Sequence, residues 1–312
     1  MASADIPNPR LICILGPTGV GKTAMALELA ERWGGEIVSA DSMQVYRQMD
    51  IGTAKPAPEE RGRIPHHLLD VVNPDEPFDV SQYIRLANGI IADLQREKKP
   101  VFVVGGTGLY IRALLGGLID GPAADEALRR ELKREMHDRG QAHLYEMLRT
   151  RDPGAADRIH PHDGVRIIRA LEVLELTGRS IVAHQQEHRF RETQYETLRI
   201  GLSLDRERLN DRIEQRTDRM IGDGFVEEVR RLLDMGYTES LKPLQSFGYR
   251  DMISFLAGRQ SLEEAIRLIK RDTVRYAKRQ MTWFAADREV GWLDPGEVDE
   301  ASRRIGLFLN PG

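Results

Sequence analysis

Gly16-Pro17-Thr18-Gly19-Val20-Gly21-Lys22-Thr23 has the spacing G-x-x-x-x-G-K-T, which suits the chemistry of holding phosphate. Its glycines let successive backbone N–H groups turn toward one anion at the positive end of a helix. Lys22 adds a point charge, and the Thr23 hydroxyl is a ligand for Mg²⁺. The pattern is informative only between a strand and a helix. Here the apolar run Leu11-Ile12-Cys13-Ile14-Leu15 precedes it, and a periodic stretch from about Lys22 to Trp33 follows. A nucleotide hydrolase or kinase also carries a metal-holding acid at the end of a neighbouring strand. The apolar run Val101 to Val104 instead enters Gly105-Gly106-Thr107-Gly108-Leu109-Tyr110, where only backbone and the Thr107 hydroxyl can approach a ligand. The nearest acid at a strand end is Asp41, after Glu36 to Ala40. It is a candidate base for a nucleophile attacking a phosphate-bearing donor, and a helix-capping role for it would not exclude that.

The elements that must position these residues follow from the apolar pattern. Strands ending at Leu15, Ala40 and Val104, with another over Leu198 to Leu204, alternate with helices and predict a parallel sheet with crossovers. Between about Gly121 and Arg191 the chain turns charged and periodic, with helices over Glu126 to His137 and Val165 to Thr177 stopped by Gly140 and Gly178. The fold class is α/β: a P-loop NTPase-like core, 1–120 and 196–312, interrupted by a helical insertion at 121–195. Helices over Asp211 to Met235 and Leu262 to Arg279 should pack back on the sheet, and Thr53 to Pro58 reads as a surface loop.

With 312 residues, one cysteine and a net charge of −4, the chain can bury a sizeable core and form no internal disulfide. It lacks the overall positive excess of a protein that lives on nucleic acid, so any RNA contact must come from local patches. No apolar stretch approaches the roughly 20 residues of a membrane span, and the first residues lack the pattern of a signal peptide. The cytoplasm is the expected compartment.

Taken in order, GPTGVGKT, SADSMQVYRQMDIGTAKP, PHHLLD, GGTGLY, QSFGYRD and RYAKRQMTWF resemble the bacterial tRNA dimethylallyltransferases over nearly the whole length. The resemblance implies a P-loop α/β core with a helical insertion. It also implies transfer of a dimethylallyl group from dimethylallyl diphosphate to N6 of the adenosine 3′-adjacent to the anticodon, with release of pyrophosphate. Mg²⁺ would be the cofactor, and Gly16 to Thr23 would hold a diphosphate in place of a nucleotide. Asp41 would be the base on N6, Thr107 would stand near the reacting groups, and Arg216 would act on the pyrophosphate. The partners would be a tRNA anticodon stem-loop and the prenyl donor, with the enzyme a monomer.

The same resemblance assigns tRNA contacts to four segments and one further residue. The segments are Asp41, Ser42, Met43 and Gln44; Val165, Arg166, Ile167, Ile168 and Arg169; Ser246, Phe247, Gly248, Tyr249, Arg250 and Asp251; and Lys278, Arg279, Gln280 and Trp283. Thr107 belongs with the first, and Arg129 is the further residue. The residues themselves offer basic clusters at Arg129-Arg130 with Lys133 and Arg134, at Arg166 with Arg169, and at Arg275, Lys278 and Arg279. Taken singly, such a cluster is more often a solvated helix face. Tyr249, Trp283 and Phe284 could stack on bases or pack in a core. His184-Gln185-Gln186-Glu187-His188 and His160-Pro161-His162-Asp163 gather possible metal ligands, but the first lies in a polar insertion without an identifiable third ligand and the second contains a proline and abuts a helix start. Rival readings are prenyl transfer to a free adenine nucleotide, a small-molecule kinase and a nucleotide-dependent RNA switch.

Overall fold

The computed structural model describes residues 9–117, 121–188 and 194–310. Six strands form one sheet: β1 (Arg10–Leu15), β2 (Glu36–Ala40), β3 (His66–His67), β4 (Val101–Gly105), β5 (Glu196–Leu202) and β6 (Val290–Leu293). Their order is β3-β2-β4-β1-β5-β6, and every neighbouring pair is parallel. The helices in chain order are α1 (Lys22–Trp33), α2 (Pro58–Arg63), α3 (Val80–Arg96), α4 (Gly108–Gly116), α5 (Glu126–Arg139), α6 (Gln141–Arg151), α7 (Pro153–Ala156), α8 (Gly164–Thr177), α9 (Ile181–His188), α10 (Arg206–Gly222), α11 (Phe225–Asp234), α12 (Tyr249–Leu256), α13 (Leu262–Ala285) and α14 (Val298–Leu309).

The apolar runs of β1 and β4 are continuous because both faces of the sheet are covered. Leu11, Cys13 and Leu15 join Val38, Val101 and Val103 in one core. Ile12 and Ile14 join Phe102, Val104 and Ile200 in the other, with apolar side chains of α1, α10 and α14. Since all strands run the same way, the segments after β1, β2 and β4 leave from one rim, where open α/β sheets bind their ligands.

The chain divides into two compact units, one of Met1–Leu115 with Gln194–Gly312 and one of Gly116–Thr193. The second is α-helical, with its own core around Leu132, Leu144, Leu148, Ile167 and Leu171. Its fully buried Glu172 accepts from the Asp125 N–H at 2.8 Å and pairs with Arg129 at 2.9 Å and Arg169 at 2.6 Å. A carboxylate inside a small core is tolerated when its lone pairs are filled in this way, and here two cations and a backbone amide fill them.

Several elements differ from the pattern-based expectation. The helix expected over Asp211 to Met235 is two, because Gly224 takes a left-handed φ of 97° between α10 and α11. Strands β3 and β6, of two and four residues, are too short to show a period. Helix α3 was legible in principle: Asp79 accepts from the Gln82 N–H at 2.9 Å and Gln82 returns to the Asp79 N–H at 3.0 Å, a capping box.

Candidate active site

The glycine loop runs from β1 into α1. Its last glycine, Gly21, sits at φ 111°, a conformation that costs other residues strain, and there the chain turns into the helix. The Lys22 Nζ donates to the carbonyls of Gly16 at 2.9 Å and Pro17 at 2.8 Å. Helix α10 lies against the loop, with Arg212 donating to the Val20 carbonyl at 2.9 Å and Ile213 packed beside Gly19. One turn beyond Arg212, Arg216 points into the same space, and its Nε is buried without a hydrogen-bond partner.

Around this loop opens a cavity of about 980 Å³ whose lining includes Thr18, Lys22, Thr23, Asp41 and Arg216. Burial pushes the Lys22 ammonium down to about 8; the Asp41 charge opposes that shift and Arg216 adds to it. Burial also lowers Arg216, again against the pull of Asp41. Lys22 and Arg216 therefore face the cavity as desolvated cations with Asp41 beside them, and an anion entering there would meet cations already stripped of water. No helix follows Asp41, so it caps a turn instead: its Oδ1 accepts from the N–H groups of Met43 at 2.8 Å and Gln44 at 3.3 Å. Gly105, which packs on Ala40 at the end of β4, stands where a nucleotide hydrolase would carry its acid.

Thr107 is tied to the Asp41 turn. Its N–H donates to the Ala40 carbonyl at 3.2 Å and its Oγ1 accepts from the Ser42 N–H at 3.1 Å. Tyr276 on α13 lies beside Thr107 and Gln280, and burial, with the Asp41 charge next in size, pushes its hydroxyl up to about 12. The segment read as a surface loop, Thr53 to Pro58, is instead a wall of the cavity. Its Lys55 ammonium is buried, donating to the Tyr46 carbonyl at 2.6 Å and pairing with Asp50 at 2.7 Å and Asp70 at 2.6 Å. The preceding residues are held by buried Glu228, which accepts from the N–H groups of Asp50, Ile51 and Gly52 and from the Tyr249 hydroxyl at 2.6 Å. Sequence reasoning missed Tyr276, Lys55 and Glu228.

The residues expected to meet RNA separate into two groups. Val165, Arg166, Arg250, Lys278, Arg279 and Trp283 are exposed. Ile167 and Ile168 are corrected to core residues of the helical unit, on the buried face of α8. Tyr249 is buried with its ring edge-on to Phe225, and Asp251 is buried with its carboxylate accepting from the Gly248 N–H at 3.0 Å. Phe284 is likewise core. Gln280 is buried, its carboxamide accepting from the Thr18 N–H and donating to the Gly106 carbonyl. Arg129 and Arg169 are taken by Glu172, so of that basic surface Arg130, Lys133, Arg134 and Arg166 remain exposed. Ser246 donates through its hydroxyl to the Pro243 carbonyl, and Phe247 packs 5.3 Å from the Tyr276 ring. Among the described residues no three His, Cys, Asp or Glu side chains gather as metal ligands; the side chains of 185–188 lie outside that description. No helix among the described residues is long and apolar enough to cross a membrane.

This chain matches the sequence pattern of the family described as IPP transferase over residues 44–287, and that described as isopentenyl transferase over residues 9–70. It is 57% identical to tRNA dimethylallyltransferase 2 of Syntrophus aciditrophicus (strain SB) over 307 residues, 98% of this chain and 99% of that protein. It is 55% identical to tRNA dimethylallyltransferase of Geobacter metallireducens over 302 residues, 96% and 98% of the two chains. Its structure is similar to the full-length tRNA isopentenylpyrophosphate transferase from Bacillus halodurans, with a TM-score of 0.72 at 40% identity, covering 96% of this chain and 97% of that one. It is also similar to a eukaryotic dimethylallyltransferase acting on tRNA, with a TM-score of 0.79 at 28% identity, covering 95% and 77%.

Proposed function

The chain belongs to the IPP transferase family, and we propose that it transfers the dimethylallyl group of dimethylallyl diphosphate to N6 of the adenosine 3′-adjacent to the anticodon of tRNA, releasing pyrophosphate. The observation that carries this reading is the cavity in which the desolvated Lys22 and Arg216 both feel the charge of Asp41, beside a phosphate-type loop with Gly105 at the acid position. Backbone N–H groups of Gly19 to Thr23, with Lys22 and Arg216, take the diphosphate and stabilise the charge it gains as the allylic C–O bond breaks. The adenine N6 forms the new bond to the prenyl carbon. Asp41 removes the N6 proton during attack, which avoids a high-energy cation on the base. Its Oδ1 is held by two backbone donors, and Oδ2 takes no backbone donor among the described residues. Thr107, fixed on the Ser42 amide, stands at the acceptor side.

The oxygen donors lining the cavity suit Mg²⁺, an ion bound by few protein groups plus phosphate and water. Thr23 would hold it, and it would neutralise charge on the departing pyrophosphate. A single-stranded anticodon loop can release its adenine at modest cost. Lys278, Arg279 and Trp283, and separately Arg130, Lys133, Arg134 and Arg166, would contact its phosphates and bases. Nothing in this chemistry requires a second copy, so a cytoplasmic monomer is the working state.

The test is incubation of purified protein with Mg²⁺, dimethylallyl diphosphate and unmodified tRNA, with AMP and ATP in parallel, followed by mass analysis of nucleosides. A prenyl mass increment on tRNA adenosine and none on AMP is the expected result. An increment on AMP alone would move the acceptor to free nucleotides, and phosphate transfer from ATP without prenylation would restore the kinase reading.

A further inference from the structure

Helix α13 has two faces at the site. Its outer face carries Lys278, Arg279 and Trp283. Its inner face carries Tyr276 and, one turn later, Gln280, whose side chain is 7% exposed. The Gln280 Oε1 accepts from the Thr18 N–H at 2.8 Å, and its Nε2 donates to the Gly106 carbonyl at 2.8 Å. A Cβ at position 106 would stand 2.3 Å from that Nε2, so the carboxamide fits only against glycine. Thr18 belongs to the loop that leaves β1, and Gly106 directly precedes Thr107 in the loop that leaves β4. The strands are neighbours, but their ladder ends at Leu15 and Gly105. Beyond it, the Gln280 carboxamide spans the gap.

We propose that Gln280 is a positioning residue that sets the separation between the diphosphate loop and the Thr107 loop, and with it the alignment of the prenyl carbon against the acceptor amine. This rests on the function proposed above. Only a planar group with an acceptor at one end and a donor at the other can make both bonds. Glutamate lacks the donor, methionine lacks both groups, and asparagine is one methylene short. Burial keeps water from replacing either bond. Misplacing reacting groups by about 1 Å costs about 10²-fold in rate, so the loss should fall on the transfer step rather than on donor binding.

The test is single-turnover transfer to tRNA by wild type, Gln280→Met, Gln280→Glu, Thr107→Ala and the Gln280→Met/Thr107→Ala double variant, with the donor Kd measured for each. Gln280→Met is expected to slow transfer about 30- to 100-fold while the donor Kd changes less than about threefold. Thr107→Ala, costly alone, is expected to add less than about threefold in the Gln280→Met background, because the misplaced threonine no longer contributes. A side chain that only filled space would leave the two effects multiplicative. If Gln280→Met melts below the assay temperature, Gln280→Glu carries the test, since it keeps the acceptor for Thr18 and loses the donor to Gly106. Wild-type rates in either variant, or full multiplicativity with Thr107→Ala, overturn the proposal while wild type transfers normally. Failure of wild type to prenylate tRNA would instead remove the functional reading beneath it.

Discussion

Lys22 makes donor affinity depend on pH with a sign that follows from its burial. In the free enzyme its ammonium is lowered from the ordinary lysine value of 10.5 to about 8. At pH 7 roughly one molecule in ten lacks the proton, and at pH 9 roughly nine in ten do. A bound diphosphate favours the charged form, so binding takes up a proton wherever the free lysine is neutral. The donor Kd should be nearly flat from about pH 7 to 7.5 and rise about tenfold per pH unit between about pH 8.5 and 10. The donor's own last ionisation, with a pKa of about 6, is complete before that window opens. Isothermal calorimetry in two buffers of different ionisation enthalpy should read about half a proton taken up at pH 8 and nearly one at pH 9. Lys22→Arg, which stays charged, should remove the slope. The free protein should respond in the opposite direction. Its folded lysine binds fewer protons than the unfolded one between pH 8 and 10.5, so stability rises with pH across that window, by up to about 3 kcal/mol. A Kd constant within twofold from pH 7 to 9.5, or an unchanged slope in Lys22→Arg, would refute the reasoning.

Asp41→Asn should lower kcat about 10²- to 10⁴-fold with the donor Kd nearly unchanged, because the amide keeps the turn but accepts no proton. Equal losses in kcat and donor affinity, measured by single turnover and calorimetry, would reassign Asp41 to binding. Glu228→Gln should lower the stability of the larger unit by about 2–4 kcal/mol, since one end of the amide would face N–H or O–H donors that the carboxylate now satisfies. Thermal unfolding should record a fall of roughly 4–12 °C, and a Tm within about 1 °C of wild type would contradict it.

The positions of the glycine loop, Asp41 and Thr107 are legible in the sequence because they depend on local backbone: a glycine-rich turn after a buried strand, and acids or hydroxyls at strand ends. Arg216 became legible only through family resemblance, since an arginine on a charged helix has no local mark. Gln280 and Tyr249 sit among residues that suit RNA, yet helical phase points Gln280 inward and Tyr249 packs against Phe225. Thr273, Ala277, Gln280 and Phe284 form one buried stripe along α13, and that spacing was available in the sequence. Ile167 and Ile168 likewise lie on the apolar stripe of α8. The Glu228 clamp had no such signal, because its backbone partners are 176 to 178 residues away. The wall at Thr53 to Pro58 looked like a solvent loop for the same reason: the acids that bury Lys55 are placed by tertiary structure.

The central strand of the sheet pairs with β4 on one side and with β5 on the other, and β5 begins at Glu196. During synthesis at about 5–20 residues per second, β1 therefore waits roughly 10–40 s for its second neighbour. The helical unit is continuous in sequence and emerges within that interval. Over this period the apolar edge of β1 is open to other nascent chains, and the phosphate loop lacks the support of α10. Ligand-binding competence is thus a late property of the growing polypeptide, and truncated products ending before β5 should expose a strand edge prone to aggregation.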